Sequence, residues 1–262
     1  MSCAFVFAPR LRYDRLTMVI HDAPGRKGTS PTTSAKAAVQ CRTPLRSDRS
    51  RPAIARIASI EGCSAVPVRP NSDDRGCLFE IFREEWPGAF RTVQWNACAS
   101  RAGVIRGVHV HVDYDEFYTL PSGRVFLALR DIRRPSPTFG ASVGIEWSAD
   151  DQFAVPVPAG VAHAVFFLED SVLAFGLSSY WTAELDVVGC RWDDLDPSIQ
   201  WPVQTAKLSD RDTEAGSFAD MIVNYEALSA ALAGSAATRS ARQKPLRAAT
   251  RASHARTKNT TR

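Results

Sequence analysis

Between Val104 and Leu177 the 262-residue chain is a succession of short apolar runs broken by turn residues. Phe126–Leu129, Gly144–Trp147, Phe153–Val157, Ala164–Leu168 and Val172–Leu177 follow one another at the roughly 8–12-residue spacing of an all-β sandwich or barrel. None is long enough for a buried helix, and no helical pattern alternates with them, so βαβ units are excluded. Ahead of them, Ile57–Ile60, Ala65–Arg69, Cys77–Arg83 and Phe90–Asn96 read as further strand material, with a turn over Asn71–Gly76. Pro135–Gly140 and Asp193–Pro197 are loops by composition, and Ser217–Leu228 predicts one short C-terminal helix with a weak apolar stripe.

The charge is divided along the chain. Residues 1–58 hold 11 Lys/Arg against 3 acids, and residues 234–262 hold 8 against none. The intervening segment therefore carries −12 although the whole chain is +4. Both basic ends are rich in Ser, Thr, Ala and Arg without sustained periodicity, which predicts disorder. The expected organisation is a disordered leader over 1–56, one folded domain over 57–230 and a disordered basic tail over 231–262. Neither end interleaves aromatics with its cations as a nucleic-acid stacking surface would, so no nucleic-acid partner is expected. No apolar run approaches the roughly 20 residues that span a bilayer, so no membrane partner is expected either. The six cysteines are scattered without a C-x-x-C pair, which predicts reduced thiols and a cytoplasmic protein.

Chemistry concentrates in one stretch. Gly103, His109, His111, Glu116 and Gly123 follow the pattern G-x5-H-x-H-x4-E-x6-G, and Pro158, Gly160 and His163 follow P-x-G-x2-H. His109 and His111, two apart on a strand, point to one face. A neutral imidazole near its ordinary pKa of about 6.5 is a general base at neutral pH. Three imidazoles with one carboxylate are equally a ligand set for one divalent transition metal such as Mn, Fe, Ni or Zn.

The two motifs resemble those of the cupin superfamily, which implies a jelly-roll barrel. Other strings resemble the dTDP-4-dehydrorhamnose 3,5-epimerase family within it, over about residues 70–215. They are Asp74–Glu80, Gln94-Trp-Asn96 with Ser100, Gly103–His109, Asp131–Gly140, Arg191–Asp194, Ile199–Pro202 and Leu208–Asp212, in family order. Several carry no metal chemistry, so a generic cupin would have no reason to share them. The resemblance implies an isomerase that abstracts a proton beside the C4 ketone of a dTDP-linked 4-keto-6-deoxyhexose, in rhamnose-type deoxysugar biosynthesis. It also implies a homodimer, a nucleotide-sugar substrate and no cofactor. By position, His109 matches the base and Asp212 the carboxylate that orients it. Arg106 and His163 match positions beside the sugar, and Arg75, Glu80, Gln94 and Asn96 match the nucleotide and pyrophosphate side.

The chain departs from that family in three places. The segment from His109 to Gly123 is shorter and places Glu116 near an expected cation. Phe175 aligns with the family's catalytic Tyr, the acid opposite the base, which leaves Tyr180 or a water to supply the proton. His111 and Glu116 complete a set with His109 and His163 that an epimerase does not need. Two rival readings follow. One is a metal-dependent cupin enzyme using His109, His111, Glu116 and His163; the other is a catalytically silent sugar-nucleotide-binding cupin.

Overall fold

The computed structural model describes residues 50–234 except 184, 185 and 187. The predicted disorder of residues 1–49 and 235–262 lies outside the described residues. Helix α1 (Ser50–Ile57) precedes eleven strands. These are β1 (Val66–Pro67), β2 (Asn71–Asp73), β3 (Gly76–Leu78), β4 (Gln94–Ser100), β5 (Ile105–His109), β6 (Glu116–Ser122), β7 (Arg124–Asp131), β8 (Ser142–Ser148), β9 (Phe153–Val157), β10 (Val161–Phe167) and β11 (Ser171–Leu177). A one-turn helix, α2 (Asp210–Thr213), and a longer one, α3 (218–234), follow.

Two antiparallel sheets are stacked as a jelly roll. One has the order β1-β9-β6-β11-β4 and the other β5-β10-β7-β8; β2 and β3 form a separate hairpin. Between the sheets, Tyr118 and Leu120 of β6 and Leu173 of β11 pack against Leu127 and Leu129 of β7, Ile145 and Trp147 of β8, and Val165 and Phe167 of β10. Both outer faces are covered as well. Ile105, Phe126, Ala162, Ala164 and Phe166 meet Leu195, Ile199 and Met221 from the C-terminal segment. Phe117 and Ala154 meet Phe79, Phe82, Trp86 and Phe90 from the loop after β3. Burial on both faces is why β9 and β10 read as unbroken apolar runs rather than as alternation. Each fully buried Leu or Phe in these layers contributes about 1.5–3 kcal/mol.

The strand expectations from Val104 onward match β7 to β11 within a few residues. Of the earlier ones, Ala65–Arg69 contains β1 and Phe90–Asn96 runs into β4, the turn expected over Asn71–Gly76 is the β2–β3 hairpin, and two fail. Ile57–Ile60 is the end of α1 and a turn, and from Phe79 to Arg83 the chain is irregular rather than strand. There the alternating apolar residues serve as a lid: Phe79 and Phe82 plug the outer face of β6 without joining its ladder. Periodicity reported their burial and could not report their pairing. Helix α1 begins inside the segment read as leader, and α3 runs past residue 230. The thiol expectation holds for Cys63, Cys98 and Cys190 and fails at Cys77, which is disulfide-bonded. Sequence spacing cannot show which distant thiols meet in space.

Candidate active site

A cavity of about 600 Å³ opens between the two sheets, at the end where β5 and β10 face β4, β6 and β11. Strand β5 brings His109 there, opposite His163 of β10 in the antiparallel register. The approach depends on Gly107. Its φ is +114°, and a Cβ on it would lie 2.7 Å from the His163 carbonyl oxygen and 2.8 Å from Ala164, so any side chain would force the two strands apart. β5 ends at His109, so His111 lies just beyond the strand instead of alternating along it, yet both imidazoles line the cavity.

His109 is paired with Asp212. Ser209 caps α2 by accepting from the Asp212 backbone N–H, which frees the Asp212 side chain to turn inward. Its Oδ1 accepts from His109 Nε2 at 2.8 Å. An Nε2–H committed to a carboxylate leaves Nδ1 as the nitrogen with the lone pair. Burial lowers the His109 pKa, and its hydrogen bond to Asp212 offsets only part of that. Burial would raise Asp212, but His109, Ser209 and Arg211 together outweigh it and hold the carboxyl below its ordinary value. At neutral pH the pair is therefore a neutral imidazole beside a carboxylate.

Deeper in the cavity, Glu116 is the centre of a second cluster. Its Oε2 accepts from the Tyr118 hydroxyl at 2.6 Å and lies 3.0 Å from His163 Nε2, while Oε1 is 3.5 Å from His111 Nε2. His163 Nδ1 is 3.1 Å from the Val161 carbonyl oxygen, an atom that can only accept, so Nδ1 carries a hydrogen. Facing an ionised Glu116, Nε2 must carry one too, which makes His163 an imidazolium. Burial alone would lower His163, but the Glu116 carboxylate outweighs it and raises the pKa. Burial alone would raise Glu116, and the two imidazoles outweigh it and hold its carboxyl well below the ordinary range. His111 stacks on Tyr114 with ring centroids 4.2 Å apart, and its buried Nδ1 lies 3.6 Å from Asp186 Oδ1. Asp186 is held by Arg211 at 2.5 and 3.1 Å and by the Trp181 indole N–H at 2.9 Å.

Of the predicted sugar-side and nucleotide-side residues, Arg106, Gln94, Asn96 and His163 line this cavity. Arg106 is braced by donating to Ser100 Oγ at 2.9 Å, and Gln94 Nε2 donates to Asn96 Oδ1 at 3.1 Å. Arg75 and Glu80 do not line it. Arg75 is 84% exposed at the tip of the β2–β3 hairpin and pairs with Asp73, and Glu80 is exposed and pairs with Arg83. Tyr180 is 68% exposed and outside the cavity lining, so it does not fill the place of the phenol missing at Phe175. Phe175 is in the wall. Sequence reasoning passed over Asp186, Lys207, Arg211, Tyr114 and Tyr118. Strand alternation could have found Tyr118, which stands two residues from Glu116 on the same face of β6. Nothing marks Asp186 or Lys207, which lie in irregular chain.

Three of the four residues of the alternative metal set converge: ligand atoms of His111, Glu116 and His163 lie within 4.8 Å of one another. His109 is not in that group, and its Nε2 is on Asp212. Without an ion, the three side chains contact one another as an ionic cluster centred on Glu116.

Residues 58–220 match the family model described as dTDP-4-dehydrorhamnose 3,5-epimerase. The epimerase of that name from Shigella flexneri is 32% identical over 156 residues, covering 56% of this chain and 86% of its own. Among solved structures, the rmlC epimerase of Mycobacterium tuberculosis superposes with a TM-score of 0.57 at 28% identity, over 63% of this chain and 88% of that one. ChmJ, a 3'-monoepimerase from Streptomyces bikiniensis in complex with dTDP-quinovose, gives 0.56 at 29% identity, over 62% of this chain and 86% of that one. With most of the jelly roll and its cavity inside the matched residues, the chain belongs to the dTDP-4-dehydrorhamnose 3,5-epimerase family.

Proposed function

We propose that this protein is an epimerase of a dTDP-linked 4-keto-6-deoxyhexose, with His109 as the base that removes a proton beside the ketone. The observation that carries the reading is the His109–Asp212 pair on the cavity wall. A carboxylate on Nε2–H fixes the tautomer and stabilises the imidazolium formed when Nδ1 takes the proton. As the C–H bond breaks, its electron pair moves onto the ketone oxygen, and the positive charge of His163 in the same cavity favours that developing charge. Arg106 and Lys207 line the cavity without a carboxylate partner among the described residues, which leaves two cations for a diphosphate.

A homodimer is part of the same proposal. Arg75 and Glu80 lie away from this chain's cavity, and beside them Leu78 is 72% exposed, with Ile81 and Trp95 also exposed. An apolar patch next to unused polar groups suits contact with a second copy. Sedimentation equilibrium at micromolar concentration should return twice the chain mass; a monomer would remove that route for Arg75 and Glu80. Among the described residues no helix is long and apolar enough to cross a membrane. A cytoplasmic location is also proposed; the free thiols Cys63, Cys98 and Cys190 support it, and the disulfide at Cys77 counts against it.

The reading is metal-free. Extensively dialysed protein should hold well under one equivalent of transition metal and keep its activity in chelator. About one equivalent per chain, released by His111→Ala or Glu116→Gln, would instead support the metal-dependent reading. The assay is conversion of dTDP-4-keto-6-deoxyglucose, followed by deuterium uptake from solvent. A protein that binds the nucleotide sugar and exchanges nothing is the silent binder.

A further inference from the structure

We infer that Tyr118 is the group that returns the proton on the face opposite His109, and that Glu116 and His163 resupply it; this rests on the epimerase reading above. Inversion of a carbon requires removal of a proton from one face and delivery to the other. His109 stands on β5, in one sheet, so the donor must come from the facing wall, which β6 and β11 build. The β11 residue there is Phe175, which has no proton to give. Its register partner on β6 is Tyr118, with the two rings 5.9 Å apart and nearly perpendicular. The phenol is thus displaced by one strand, not lost from the wall.

Other phenols near the cavity are placed for other work. Tyr114 stacks on His111 with its hydroxyl 3.4 Å from that ring's Nε2, and Tyr180 is outside the lining. Tyr118 is 5% exposed and lines the cavity, and it alone is joined to a stored proton. Its hydroxyl donates to Glu116 Oε2 at 2.6 Å, and the same oxygen lies 3.0 Å from His163 Nε2. A phenol, with an ordinary pKa of about 10, is protonated at neutral pH.

The step balances within these residues. The enolate electron pair returns to the carbonyl, the α-carbon takes the Tyr118 hydroxyl proton, and the phenolate oxygen takes the His163 Nε2 proton by way of Glu116 Oε2. His163 ends neutral and His109 ends protonated. Loss of a proton from His109 and uptake of one at His163, both exchanging with water, restore the starting state. No oxidant or second substrate is involved.

The test separates exchange from inversion. In deuterated water, wild type should incorporate deuterium beside the ketone and invert the centre. Tyr118→Phe keeps ring and packing, so exchange through His109 should stay within about threefold while inversion falls about 10²-fold or more. Adding Phe175→Tyr to that variant moves a phenol back to the facing wall and should recover inversion by at least about tenfold. An unchanged ratio of inversion to exchange in Tyr118→Phe overturns the inference while leaving the epimerase reading intact. Equal loss of both rates, with no rescue by Phe175→Tyr, overturns it as well. A wild type that neither exchanges nor inverts fails the epimerase reading itself.

Discussion

Replacing His109 with alanine should lower deuterium uptake beside the sugar ketone by about 10²–10⁴-fold, the range that one positioned general base contributes. Nucleotide-sugar binding should survive nearly unchanged, because the lining residues Arg106, Gln94 and Asn96 belong to other positions of the cavity wall. The pH profile gives the same residue a second signature. Burial lowers the His109 pKa from the ordinary 6.5, so the neutral, basic form predominates at pH 7. Uptake should therefore be flat downward from pH 7 and fall only as acid protonates the ring below 6.5. Asp212, its carboxyl held low, stays ionised through that window and does not contribute the limb. Asp212→Asn should lower the rate too, because an amide can orient Nε2–H but cannot stabilise the imidazolium. Undiminished exchange in His109→Ala would remove the residue from the mechanism.

Removing the Glu116 side chain should be the most damaging single change to stability. Glu116 and His163 are both buried, and Glu116→Ala leaves an imidazolium, the Tyr118 hydroxyl and His111 without the acceptor they share. Truncating one partner of a buried ion pair costs about 3–5 kcal/mol. The pH dependence follows from the two directions. Glu116 has a depressed pKa in the folded protein, so its contribution is full above its ordinary 4.5 and is lost as pH falls through the depressed value. His163 has a raised one, so its contribution is full below its ordinary 6.5 and is lost as pH rises through the raised value. The gap between wild type and Glu116→Ala should be widest between about pH 4.5 and 6.5 and narrow toward either side. Urea unfolding across that range measures it; a gap below about 1 kcal/mol at pH 6 would mean the pair is solvated rather than buried.

These two residues also show how much of the molecule could be read before folding it. The jelly roll was legible because buried strands such as β9 and β10 are apolar on both faces, and turn residues punctuate them at sheet spacing. The loop after β3 was not: Phe79 and Phe82 are half-buried apolar residues spaced like strand residues, and only the three-dimensional cover they form distinguishes lid from ladder. Within the site, the motif spacing located His109, Glu116 and His163. It could not say that Glu116 would be satisfied by His163 and Tyr118 while His109 turned away to Asp212, 103 positions along the chain. That partition sets His109 apart from the other three residues of the metal set, which do converge. Arg75 and Glu80 carry the family's string yet sit outside the cavity, because a string fixes the order of residues and not the surface they face. Phe175 was legible as a missing acid; the neighbouring phenol at Tyr118 became visible only through the register of β6 with β11.

The central claim is that this cavity inverts a carbon beside a ketone by proton transfer through His109, without a metal. Dialysed, chelator-treated protein incubated with dTDP-4-keto-6-deoxyglucose in deuterated water tests it most directly, with the sugar followed by proton NMR. The account predicts loss of a ring-proton signal beside C4 and appearance of an epimer, both absent in His109→Ala. Deuterium uptake that persists in His109→Ala, or that requires added iron or manganese, would contradict it.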